Sequence, residues 1–155
     1  MAKKPSLIIS SQCALLAFAL NASLYAQSAY GYGSIQLSVG GTRNSTGAIL
    51  YSLFKDGKGY PDQPALAYYK GRVALGKEGK VQVEIDSLLP GQYAIALLHD
   101  ENGDNKMNTS ALGLPKEGYG FSNNVMGLFG PPSFTKASIS LKKGERKWVR
   151  INVRY

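Results

Sequence analysis

The sequence predicts an all-β protein. The expected form is one antiparallel β-sandwich, immunoglobulin-like or prealbumin-like, of about seven strands with a single long ordered loop. An N-terminal signal helix precedes it. Three observations carry this reading. Apolar residues recur at every second position in several segments, as on half-buried strands. Eighteen Gly and seven Pro punctuate 155 residues, too many turn formers for a helical bundle. Beyond the first thirty residues no stretch repeats its apolar positions with a helical period.

Residues 1–29 read as an address. Met1-Ala2-Lys3-Lys4 is a short basic start, followed by the apolar Leu7-Ile8-Ile9 and Ala14–Leu20 and then the small residues Ala22-Ser23 and Ala26–Ala29. This is the three-part pattern of a secretory signal peptide. A membrane anchor is the rival reading. Ser10-Ser11-Gln12 interrupts the apolar run, leaving it short of the ~20 residues a spanning helix needs. Cleavage between Ala26 and Tyr30 is expected, giving an exported protein, periplasmic or extracellular, with no transmembrane segment in the mature chain. Cys13, the single cysteine, lies inside the signal, so the mature domain is held without disulfides. Loss of Lys3 and Lys4 leaves sixteen basic against ten acidic residues, net +6. Such a surplus suits an anionic envelope component or a glycan. Nucleic acid does not suit that address.

Residues 30–155 form the β-sandwich domain. Ile35, Leu37 and Val39 alternate with Ser34, Gln36 and Ser38, and Gly40-Gly41 ends that strand; Thr42–Thr46 is a connection. Ala48–Phe54 is a nearly continuous apolar strand closed by Lys55-Asp56-Gly57. Ala65–Leu75 suits either a strand or a helical turn. Val81, Val83 and Ile85 face one way, with Gln82, Glu84 and Asp86 opposite. Tyr93–Leu98 is apolar throughout, as in a central strand. Leu89-Pro90-Gly91-Gln92-Tyr93 reads as a tight hairpin, with Tyr93 burying its ring and bonding backbone near the turn. Phe134–Leu141 reads as a weaker strand. In the last strand Val149, Ile151, Val153 and Tyr155 alternate with Trp148, Arg150, Asn152 and Arg154. A small closed barrel is the alternative to the sandwich.

Between Asp100 and Ser133 lie thirty-four residues without periodicity. Connections this long are usually functional. Met107, Leu112, Leu114, Tyr119, Phe121, Val125, Met126, Leu128 and Phe129 would anchor it. Oxygen-bearing side chains at Asp100, Asn102 and Asp104 have the one-three-five spacing of a calcium loop. Asn105 stands where such loops turn sharply, the Lys106 carbonyl would be the next ligand, and Asn108 the one after. The twelfth position is Ala111, so the bidentate glutamate is missing, and Glu101 or Glu117 would have to replace it. Calcium is the one cofactor this spacing suits. The same Asp and Asn pattern also makes turns held by their own side chains, with Lys106 neutralising the carboxylates.

His99 is the only histidine. With Asp100 and Ser110 or Ser122 it has the components of a nucleophilic triad. Adjacent strand residues point to opposite faces, however, so Asp100 is badly placed to orient His99. Glu117 with Asp104 has the makings of a glycosidase carboxylate pair. Tyr119 and Phe121, set among glycines, would form either a stacking platform for a ligand with Asn123 or plugs sealing the sandwich end.

His99-Asp-Glu-Asn, Met107-Asn-Thr, Gly113-Leu-Pro-Lys-Glu-Gly-Tyr-Gly-Phe-Ser-Asn-Asn124 and Gly130-Pro-Pro-Ser-Phe134-x-x-Ala137 together resemble the signature of domain-of-unknown-function family 2141. The resemblance runs from about Ile35 to Tyr155 and includes the Leu-Pro-Gly-x-Tyr hairpin. It implies an exported bacterial β-sandwich without an assigned activity and supplies no catalytic residues. The chain departs from it at Asp104-Asn105-Lys106, where the family pattern has Asn-Gly-Lys.

The function expected from the sequence is therefore a noncatalytic, exported binding or accessory protein of the bacterial cell envelope. Its ligand contacts are expected at His99, Glu117, Tyr119, Phe121 and Asn123, with Asp100, Asn102, Asp104, Lys106 and Asn108 around calcium. A small envelope hydrolase acting through His99 and Glu117 is the alternative, and an envelope subunit using the Arg146–Arg154 face is a third.

Overall fold

The computed structural model describes residues 31–76, 78–128 and 130–155. The expected signal segment, residues 1–29, lies outside the described residues. Among the described residues eight strands form: β1 (Gly33–Gly40), β2 (Ala48–Lys55), β3 (Tyr69–Ala74), β4 (Val81–Leu88), β5 (Gly91–Asp100), β6 (Gly118–Phe121), β7 (Ile139–Leu141) and β8 (Arg146–Asn152). They build a three-stranded sheet, β4-β1-β8, and a five-stranded sheet, β3-β2-β5-β6, in which β7 pairs with the first residues of β5. Ile35, Leu37, Val39, Ile85, Val149 and Ile151 from the first sheet meet Ile49, Leu53, Tyr93, Ile95 and Leu97 from the second in one core. Burying one face of each sheet against the other is what the period-two pattern demands.

Four local expectations change. β1 and β8 run parallel, Ser34 opposite Arg146 through Gly40 opposite Asn152, so the sandwich is antiparallel except at this pair. Phe134–Ala137 is a helical turn, α1, and only Ile139–Leu141 of that segment is strand. Apolar residues at 134 and 137 suit a helical turn as well as a strand, and the preceding Pro131-Pro132-Ser133 is a helix-start signal. The segment Ala65–Leu75 resolves into a short 3-10 turn, Pro64–Leu66, followed by β3. Finally, the long aperiodic stretch contains β6, paired with β5 from Ala96–Phe121 to His99–Gly118.

β6 needs its glycines for space. A Cβ on Gly118 would lie 2.3 Å from Val153 Cγ1, and one on Gly120 2.7 Å from Ile151 Cγ2. Their absence lets β6 close the gap to the end of β8. Tyr119 and Phe121 turn to the other face and join Tyr60, Ala94, Ala96, Val125, Phe134 and Ala137 in a second, smaller apolar cluster. The Pro90-Gly91 hairpin forms as expected: Tyr93 is buried and its hydroxyl donates to the Leu89 carbonyl at 2.6 Å.

Candidate functional site

Every second residue of β5 from Tyr93 points into the core, through Ile95 and Leu97, and His99 ends that row where the core meets the rim. His99 is wholly buried. Its Nε2 lies 2.8 Å from the Thr46 carbonyl, which can only accept, so Nε2 carries the proton. Nδ1 lies 2.5 Å from the Tyr155 hydroxyl, which donates to it when the ring is neutral. That hydroxyl also accepts the Arg43 backbone N–H at 3.0 Å. Burial raises the Tyr155 pKa, which keeps its proton available to His99. The Arg43 guanidinium sits 4.5 Å above the Tyr155 ring and pairs with Glu101 at 2.8 Å. Burial pushes the Glu101 carboxyl up, but hydrogen bonds from Asn44 and Arg43 and the Arg43 charge outweigh it, and the net shift is downward.

Asp100 is also wholly buried, but it faces away from His99. Its Oδ1 accepts the Gly103 N–H at 2.9 Å and its Oδ2 the Asn105 N–H at 3.2 Å. Asp100 thus shapes the turn and does not orient the imidazole. Glu117, nearly buried just ahead of β6, clamps two strands of the loop: Oε1 accepts Glu101 N–H at 3.0 Å and Oε2 accepts Asn108 N–H at 3.1 Å.

Between them the exposed segment 102–108 closes on itself. Asn102 Oδ1 accepts the Asp104 N–H at 3.0 Å, and Asp104 Oδ1 accepts the Lys106 N–H at 2.9 Å. The amide of Asn108 donates to Asp104 Oδ2 at 2.9 Å, and that of Asn102 reaches both Asp104 Oδ2 and Asn108 Oδ1. The Asn108 hydrogen bond leads the effects that hold the Asp104 carboxyl below its usual range, followed by the Lys106 N–H. Asn105 has φ of +61°, the sharp turn expected at its position. Among the described residues no group of three or more His, Cys, Asp or Glu side chains gathers where it could hold a metal ion.

The remaining predicted residues lie apart from this cluster. Phe121 is buried, edge-on to Tyr60 and Tyr119. Asn123 Nδ2 donates to the Lys136 and Ser138 carbonyls, tying the end of β6 to α1. Ser122 is buried; its Oγ accepts the Ile95 N–H and donates to the Ala137 carbonyl. Ser110 Oγ accepts the Leu114 N–H at 3.2 Å. Neither serine meets His99.

The structure thus brings His99, Asp100 and Glu117 to one rim, together with Asp104 and Asn108, and adds Arg43, Asn44 and Tyr155. The inward phase of Tyr155 with Val149, Ile151 and Val153 was the one sequence signal for its role; Arg43 and Asn44 left none. Two surface hollows, of about 140 and 340 Å³, open elsewhere, on the outer face of the three-stranded sheet. Among the described residues no helix is long and apolar enough to cross a membrane.

A family model described as "Uncharacterized protein conserved in bacteria (DUF2141)" matches residues 37–148. No curated protein and no solved structure matches the chain.

Proposed function

The chain belongs to the DUF2141 family, and from that premise we propose that it is an exported, noncatalytic binding or accessory domain of the bacterial cell envelope. One observation carries the proposal. His99, Asp100 and Glu117, the rim groups that the sequence offered as acid, base or orienting carboxylate, have their reactive atoms engaged, chiefly by backbone, while Glu101 is held by Asn44 and an Arg43 ion pair. A general base must have a proton to abstract within reach. His99 holds the Thr46 carbonyl on one nitrogen and Tyr155 on the other. Glu117 holds two backbone N–H groups.

The test is to recover the expressed protein from the envelope fraction and incubate it with isolated envelopes. The reading predicts a chain shortened to residues 27–30 onward and no release of soluble fragments. Fragment release that vanishes in His99→Ala while thermal stability is retained would establish the hydrolase instead.

A second reading, calcium completing the 100–108 loop, is favoured by the backbone. Asp100, Asn102 and Asp104 each accept a loop N–H, and position 105 makes the left-handed turn such loops require. The donors fit a weak site. Asn102, Asn108 and the Lys106 carbonyl are neutral, and Glu117 already holds two amides. Few charged ligands place the Kd at about 10⁻⁴–10⁻³ M. Calorimetric titration should show that affinity, a raised melting temperature, and loss of both in Asp104→Ala. No heat at millimolar calcium rejects it.

A further inference from the structure

We propose that the outer face of the three-stranded sheet is a binding platform for an extended, β-linked oligosaccharide, with Trp148 as its stacking surface. The inference rests on the envelope-accessory reading for its choice of ligand and adds the place and the chemistry. The parallel pairing of β1 with β8 sets Trp148 opposite Gln36, and the antiparallel pairing of β1 with β4 sets Gln36 opposite Glu84. One cross-strand row therefore runs Trp148, Gln36, Glu84 over the middle of the sheet. On either side, Arg150 stands opposite Ser38 and Arg146 opposite Ser34. Ser34 and Ser38 on the central strand are short between the long side chains of both edges, so the face dips on either side of Gln36 as a shallow trough.

Trp148 is 72% exposed, which is unusual for the largest apolar side chain in a protein with two apolar clusters available to bury it. Among the described residues no second aromatic ring packs on it. The Nε2 amide of Gln36 beside it is shielded from solvent and has no acceptor among the described residues. A shielded donor without a partner is costly unless something completes it. Opening the Arg146–Glu84 pair, which crosses β1 on this face, would let a ring substituent bring an oxygen to that amide.

The two hollows extend the trough at both ends. The smaller is lined by Ser38, Lys80 and Arg150, the larger by Ser34, Glu84, Asp86 and Arg146. From Arg146 to Arg150 the strand rise gives about 13 Å, the span of a short oligosaccharide. Arg146 reaches across β1 to Glu84 at 3.4 Å, so donors and acceptors lie side by side along it.

The charge pattern selects the occupant. Lys80, Arg146 and Arg150 stand among Glu78, Glu84, Asp86 and Glu145 around the two hollows, so the face lacks the cationic surplus that nucleic acid requires. A lipid surface needs more apolar area than one indole. A pyranose chain needs what is present: a flat aromatic for its C–H face, and both donors and acceptors for its hydroxyls.

Trp148 is the chain's single tryptophan, so its emission reports on the site directly. Titrating the chain as expressed with chitohexaose, a β-linked N-acetylglucosamine hexamer, and with cellohexaose should shift that emission and saturate for at least one, with a Kd of about 0.1–1 mM. By calorimetry, Trp148→Ala should weaken binding at least about tenfold with its melting temperature unchanged, and Gln36→Ala should weaken it less. No response to either sugar, binding unaltered in Trp148→Ala, or a response to anionic vesicles alone overturns the platform while leaving the noncatalytic reading intact. Shortened sugars appearing in the incubation would overturn that reading and leave the platform standing.

Discussion

The rim around Glu117 and the outer face around Trp148 draw on the same kinds of residue and use them in opposite ways. At the rim three polar side chains turn inward and each meets backbone: Asp100 holds Gly103 and Asn105, Glu117 holds Glu101 and Asn108, and His99 holds Thr46. On the outer face the side chains stand in solvent, and the Arg146–Glu84 pair is exposed at both ends. Residue type alone therefore does not mark a site. What matters is whether an atom still has a hydrogen bond to give. By that measure Asp100 and Glu117 are committed to the loop backbone, whereas on the sheet face Gln36 Nε2 has no acceptor among the described residues.

The contrast can be broken most severely at Glu117. Glu117→Ala strips the acceptor from two loop amides and should cost about 2–4 kcal/mol in urea unfolding. Trp148→Ala on the sheet face should stay within about 0.5 kcal/mol. Equal losses at the two positions would erase the distinction.

A smaller effect is expected at the end of the chain. Tyr155→Phe removes one hydroxyl that serves both His99 and Arg43, at a cost of about 1 kcal/mol. The ring remains to carry the Arg43 contact. A loss no larger than that of an exposed surface change would place His99 outside the network.

The smallest effect is a matter of pH. Glu101 has its pKa lowered in the folded chain, so its contribution is complete above the ordinary glutamate pKa, near 4.5, and is lost as pH falls through the depressed value. Stability should decline below about pH 4.5, and Glu101→Gln should make that decline shallower. Melting temperatures across the acid range would measure it. An identical acid slope in the variant would remove Glu101 from the account.

Local physics was legible in the sequence and distant contact was not. Alternation placed β1, β4 and β8, and unbroken apolar runs placed β2 and β5, because both patterns are written residue by residue. The bond from Tyr93 to Leu89 followed from a five-residue turn. The parallel pairing of β1 with β8 left no trace, since alternation looks the same in either direction. β6 was hidden because its glycines answer to Val153 and Ile151, residues far along the chain. At the rim, the Asp and Asn spacing correctly suggested turns held by their own side chains. That Glu117 would reach back to Glu101 and Asn108 was invisible, because the contact depends on how the intervening loop folds over. The Trp148 row was missed for the same reason as the pairing that creates it.

Amide hydrogen exchange at Glu101 and Asn108 tests most directly whether the rim carboxylates hold backbone. Both amides should exchange slowly in the wild-type chain, and in Glu117→Gln, which keeps a single acceptor oxygen, one of the two should be released. Free-peptide exchange at both in the wild type, or undiminished protection of both in the variant, would contradict the account.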